Sequence, residues 1–179
     1  QYYSFGKYAA KITSVVTELD NNRVAISINV SEGLAAKIAK INIVGNKNFD
    51  EEDLLEEFKL STPTMFSFFS KKDQYSKQKL SGDLETLRSF YLNQGYLNFS
   101  IDSTQVTITP DKKDIFITIN ITEGELYKVT EVKLGGNLTL PKDDLFELIL
   151  IKTGELFSQK KLTNTTKNIS MLNFLFCAA

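Results

Sequence analysis

Histidine and tryptophan are missing from the 179 residues, and cysteine occurs once, at Cys177. Without histidine the chain lacks the commonest general base and the commonest metal ligand. A single cysteine forms no intramolecular disulfide and builds no thiolate cluster. The 21 basic and 22 acidic side chains leave a net charge of −1. That removes any sequence-wide electrostatic case for nucleic acid or an anionic membrane surface. Apolar runs are short: the longest candidate, Met171 to Ala179, falls far below the roughly 20 residues of a membrane-spanning helix. No signal peptide is visible and the chain starts at Gln1, so it reads as a piece of something longer.

What is present is a repeat. Gly45-Asn46 recurs 91 residues later as Gly136-Asn137, Glu32-Gly33 recurs as Glu123-Gly124, and Phe66 as Phe157. Self-similarity at a fixed spacing marks an array of modules, which suits a spacer or recognition scaffold better than a single active site. The spacing predicts one complete module at 38–126, the end of another at 1–37, and the beginning of a third at 127–179.

The complete module reads as strand, helix, helix, strand, strand. Lys40 to Val44 is a short strand closed by a turn at Gly45-Asn46. Asp50 is placed to cap the helix that follows, with Glu51, Glu52 and Asp53 favouring the positive end of its dipole. Phe49 and Leu54 occupy the positions of a hydrophobic staple. A loop from Leu60 to Gln74 carries Pro63 and the cluster Phe66, Phe68, Phe69. Leu80, Leu84, Leu87 and Tyr91 then share one helical face, and Gly95 ends that helix. Two strands complete the unit, the second with strict alternation of Ile115, Ile117, Ile119 and Ile121. The expected fold class is α+β, two helices packed on a three-stranded mixed sheet.

The flanking segments follow the same plan. The first 37 residues supply a helix end at Tyr2–Gly6 and a hairpin turning at Asp20-Asn21-Asn22. The last 53 supply a strand from Val129 to Leu134, a helix near Lys142 to Leu150, and a second helix after Ser158. The links at Glu32–Ala39 and Glu123–Val129 hold no flexible tract, so neighbouring modules are expected to be coupled, with hinges at Glu32-Gly33 and Glu123-Gly124.

One strand breaks its own period. Phe99 and Ile101 put the apolar face on odd numbers, whereas Val106 and Ile108 put it on even numbers. A period of two changes phase only if one residue is inserted, which predicts a β-bulge within Asp102 to Gln105. Bulges gather at sheet edges, where they aim a binding strand or blunt the edge against aggregation.

The strand-helix-helix-strand-strand unit, opening on Ile-x-Ile-x-Gly-Asn and closing on Glu-Gly, resembles a POTRA domain. The stretch Gln78–Ser89 and the run Asp102–Val106 are similar to the third such domain of the outer-membrane β-barrel assembly factors of Gram-negative bacteria. The resemblance implies a periplasmic interaction scaffold with no catalysis and no cofactor. It implies two kinds of partner, unfolded outer-membrane proteins and accessory lipoproteins of the BamB type, both met by strand addition at a sheet edge. The matching edge positions are Asp102, Thr104, Gln105, Val106 and Ile108. Another superfamily member, from a secretion pore or translocation-assembly protein, fits the same pattern less specifically. A small α+β enzyme or nucleic-acid binder is disfavoured by the absences above. The tail from Met171 departs from the pattern, as a truncation or frameshift would leave it.

Other clusters have plain explanations. Phe66, Phe68 and Phe69 suit a hydrophobic contact for clients or a cover over the module's own core. Lys71-Lys72 beside Asp73 reads as solvated loop charge. The carboxylates Glu51, Glu52, Asp53, Glu56 and Glu57 read as dipole and solubility residues.

Overall fold

The protein is represented by a computed structural model that describes residues 1–63, 71–136 and 141–177. Phe66, Phe68 and Phe69 lie outside the described residues. The complete module runs β3 (Lys37–Val44), α1 (Glu51–Glu56), α2 (Lys77–Asn93), β4 (Ser100–Ile108) and β5 (Asp114–Thr122), preceded by the hairpin β1 (Lys11–Leu19) and β2 (Arg23–Ser31). Two helices follow it, α3 (Lys142–Glu147) and α4 (Gln159–Cys177). The three-stranded sheet has the order β3-β5-β4, with β3 parallel and β4 antiparallel to the central β5.

The alternation expected in β5 is what builds the core. Ile115, Ile117, Ile119 and Ile121 are buried, and Ile38, Ile41 and Ile43 of β3 lie on the same side of the sheet. Leu54 of α1 and Leu80, Leu87 and Tyr91 of α2 close over them, with Leu84 partly buried at the margin. Phe49 sits edge-on to Phe90, Tyr91 and Tyr96, and Tyr91 stacks on Phe99 at a centroid distance of 4.3 Å. The aromatic group therefore joins the chain just before α1, the end of α2 and the start of β4.

Helix α2 begins where expected, with the Ser76 hydroxyl accepting from the Lys79 amide. It ends in a Schellman turn, the Tyr96 amide donating to the Tyr91 carbonyl across Gly95 at φ +97°. Asp50 stands at the head of α1 but makes no side-chain capping bond. Asp73 also differs from its reading as solvated charge: it is buried, and Lys37 Nζ approaches its carboxylate at 3.1 Å.

Asp83 is fully buried on α2, and its two carboxylate oxygens accept from the Lys59 and Leu60 amides at 2.8 and 3.0 Å. This ties the exit of α1 to α2. In the third repeat the corresponding group is Thr165, whose hydroxyl accepts from one amide among the described residues, that of Leu150. Asp83→Ala should cost about 3 kcal/mol, because a buried amide and a partly buried one lose a charged acceptor. Thr165→Ala should cost about 1 kcal/mol. Urea unfolding followed on the amide signals of Ile117 and Thr165 separates the two, and equal losses would contradict this account.

The strand expected at Val129 to Leu134 does not form; only an isolated bridge joins Lys128 to Leu156. The reason lies in the sheet order. The first strand of a module pairs with the last, and among the described residues no counterpart of β5 follows residue 127. The hairpin β1–β2 shows the converse: it pairs with itself, and every one of its residues is exposed. Helix α4 runs on to Cys177 past no glycine or proline, so within it nothing corresponds to the stop that Gly95 gives α2.

Candidate functional site

Strand β4 is the terminal strand of the sheet, and among the described residues nothing pairs with its far edge. Its pairing with β5 slips by one residue between Ile101 and Ser103, so the bulge expected within Asp102–Gln105 lies at Asp102. The slip resolves the phase conflict. Before it Ile101 lies opposite Ile121; after it Thr104, Val106 and Ile108 lie opposite the buried Ile119, Ile117 and Ile115. All are on the helix-facing side, while Gln105 lies opposite Thr118 on the other face. Val106 nevertheless remains 38% exposed. The helical layer stops short of this strand and leaves an apolar side chain beside a free row of backbone donors and acceptors.

The bulge is held by its own side chain. Asp102 accepts from the Ser100 hydroxyl at 2.7 Å and the Thr122 hydroxyl at 2.6 Å. Those bonds, Thr122 first, hold its carboxyl below the ordinary aspartate range. One is local and one crosses to β5, so the kink is fixed relative to the central strand. The outer face beside it is polar, with Asn120 donating to the Ser103 hydroxyl, apart from the half-exposed Phe116.

The positions read as hinges have a definite geometry. Gly33 and Gly124 take φ of +69° and +78°. Glu32 forms an ion pair with Lys7. Glu123 is only 5% exposed and is fixed inside the module. One of its oxygens accepts from the Lys47 and Asn48 amides and the Tyr91 hydroxyl, the other from the Asn48 side chain at 2.5 Å. Burial pushes its carboxyl upward, but these bonds outweigh burial and hold it below the ordinary glutamate range. Burial, reinforced by the Glu123 carboxylate, pushes the Tyr91 phenol far up.

The expected coupling between modules follows one backbone pattern used twice. Gly6 O accepts from the Ala36 amide, and Ala36 O accepts from the Tyr75 amide. Gly95 O accepts from the Tyr127 amide, and Tyr127 O accepts from the Phe157 amide. Each junction thus links the helix end of one module, the linker, and the residue before the second helix of the next. At Gly95 the φ of +97° is what calls for glycine; a Cβ there would also come within 3.2 Å of the Tyr127 carbonyl oxygen, while the nearer Leu126 Cδ1 is the end of an exposed side chain that can turn aside.

A complete two-layer module, helices on one face of a three-stranded sheet with one open edge, joined to parts of its neighbours by a repeated backbone pattern, defines a class of tandem α+β repeat proteins. The chain belongs to the POTRA family: its model, described as a surface antigen variable number repeat, matches residues 36–124 and again 127–177. Among characterised proteins it is similar to the outer membrane protein assembly factor BamA of Neisseria meningitidis serogroup B, 31% identical over 164 residues that make up 91% of this chain and 21% of that protein. Against BamA of Buchnera aphidicola the identity is 34% over 161 residues, 90% of this chain and 26% of that protein. The chain thus spans about a quarter or less of the length of these curated relatives. In fold it is similar to the crystal structure of POTRA domains 3–5 of Haemophilus influenzae BamA, with a TM-score of 0.61 at 19% identity, covering 97% of this chain and 66% of that one.

Two carboxylates central to this arrangement, Asp83 and Glu123, carry no local sign of their partners. A signal was available for Glu123, because a carboxylate repeated before glycine in each copy (Glu32, Glu123) points to a structural demand.

Proposed function

We propose that this chain is a periplasmic segment of an outer-membrane protein assembly factor, acting without catalysis as a binding scaffold. Client outer-membrane proteins and accessory lipoproteins of the BamB type add a strand to β4 across Asp102, Thr104, Gln105, Val106 and Ile108. The observation that carries the reading is the bulged free edge of β4, with Val106 exposed beside it. Main-chain hydrogen bonds supply an affinity largely blind to sequence, which suits a scaffold that meets many clients. The apolar side chain favours extended segments that alternate apolar and polar residues, the pattern of a membrane barrel strand. Bending between modules is taken at Gly33 and Gly124, since Glu123 itself is tied into the core.

Amide shift mapping on the whole chain, with an extended amphipathic peptide of alternating pattern at millimolar concentration, tests this. The expected result is perturbation confined to Asp102 through Ile108. Perturbation centred on Phe66 to Phe69 would move the site to that loop. No perturbation anywhere would end the reading for unfolded clients and leave a docking site for folded partners.

A further inference from the structure

A three-stranded sheet has two edges, and here they are not alike. The second belongs to β3, and three features interrupt it. At its start Lys37 bridges to Gln74, and Ala36 O accepts from the Tyr75 amide at 3.3 Å. In the middle the pairing with β5 slips between Ile38 and Lys40, so Ala39 is a bulge. Near its end the Ile43 amide donates to Glu51 Oε1 at 2.6 Å. Backbone groups alternate sides along a strand, so Ile41 and Ile43 present their N–H and C=O to the same outer edge. Among the described residues, with the Ile43 amide taken and Ala39 irregular, only Ile41 keeps both its groups to pair, too little for a strand to add.

The Glu51 carboxylate occupies the place where an incoming strand's carbonyl oxygen would have to sit. It satisfies the donor and sets a negative charge against the incoming oxygen. Of the three features it is the only one made by a single side chain. We propose that Glu51 decides which edge of this sheet accepts a strand: it closes β3 and so confines strand addition to β4. This rests on the strand-addition reading above and adds the residue that makes recognition one-sided. An array of modules gains from such closure, because two open edges per module would let clients bridge modules or let arrays pair with one another.

The test is amide hydrogen exchange of the whole chain with and without an extended amphipathic peptide, because an added strand slows exchange only at the amides it bonds. Wild type should gain protection along β4 only. Glu51→Ala should gain it also at Ile41 and Ile43, and Glu51→Gln, which keeps an acceptor, should behave as wild type. Unchanged shifts at Ile115 to Ile121 in the free variants establish that the sheet is intact. If Glu51→Ala does not fold, Glu51→Asp carries the test, since it keeps the charge at the helix start but falls a methylene short of Ile43. Folded variants that gain protection along β4 alone would overturn the role of Glu51 and leave the β4 reading standing. Protection gained at β3 in wild type would overturn it equally. Variants protected at β3 while wild type gains nothing at β4 would uphold Glu51 and remove the β4 reading. No added protection at either edge in any variant would remove both.

Discussion

Gly45→Ala is expected to destabilise the complete module by about 4 kcal/mol, a large share of the stability of a domain this size. Gly45 follows β3 at φ +105°, a conformation that L side chains rarely adopt. That strain alone is worth roughly 1–3 kcal/mol. The larger part is steric. A Cβ there would be driven into the carbonyl oxygen of Ile121, which belongs to the central strand and has no flexible side chain to move aside. Relief requires β3 and β5 to separate where Val44 pairs with Asn120, next to the Glu123 anchor. The repeat supplies its own control. Gly136 has nearly the same φ, +106°, but among the described residues no atom lies within 4 Å of the position its Cβ would take. Gly136→Ala should therefore cost only the backbone strain, about 1 kcal/mol. Urea midpoints read on the amide signals of Ile117 for the first variant and Thr165 for the second would measure both. Similar small losses would show that the Ile121 approach is unimportant.

The contrast between the two glycines also shows where the sequence was readable. Their shared dipeptide revealed the repeat, and the repeat set the order of elements correctly because strand and helix periods are local properties. The bulge was readable for the same reason: Ile101 and Val106 conflict within a few residues. The residues expected along β4 are brought to one edge, although they divide between its two faces, with Gln105 opposite Thr118 and Val106 opposite Ile117. The strand expected at Val129 to Leu134 was misread because its local pattern is sound while its partner, a later strand, is absent among the described residues. Charged residues were the least readable. Asp83 lies 23 and 24 residues from the amides it binds, and Glu123 lies 75 and 76 from its own. A carboxylate whose partners are that distant looks like a solvated one until the fold closes. Glu51 was read as a dipole residue on those grounds, and that reading accounts for its place in the first turn of α1 but not for its bond to Ile43.

Glu123→Ala is expected to cost about 4 kcal/mol, and Glu123→Gln about 1–2 kcal/mol. Alanine leaves the Lys47 and Asn48 amides and the Tyr91 hydroxyl without their acceptor in a region only 5% exposed at Glu123. Glutamine keeps one oxygen for those three donors but turns its own N–H toward the Asn48 amide group, where the carboxylate had accepted. The pH dependence separates charge from shape. The folded-state pKa of Glu123 lies below its ordinary value, so its contribution is complete above the unfolded-state value of about 4.3 and is lost as pH falls through the depressed folded value. Wild type should therefore lose stability on acidification below that point, and Glu123→Gln should lose less over the same interval. The measurement is the urea midpoint of the Ile117 signal at a series of pH values for the three proteins, and identical acid profiles for wild type and Glu123→Gln would refute the role of the charge. The consequence reaches beyond the module. Glu123 holds the last turn of chain before Gly124, and Tyr127, three residues further on, donates to Gly95 at the junction. A buried anchor immediately before a left-handed glycine sets the direction in which the next module starts. The same substitutions should then loosen the Gly95–Tyr127 hydrogen bond, seen as faster amide exchange at Tyr127 than at Phe157, whose acceptor lies on the linker itself.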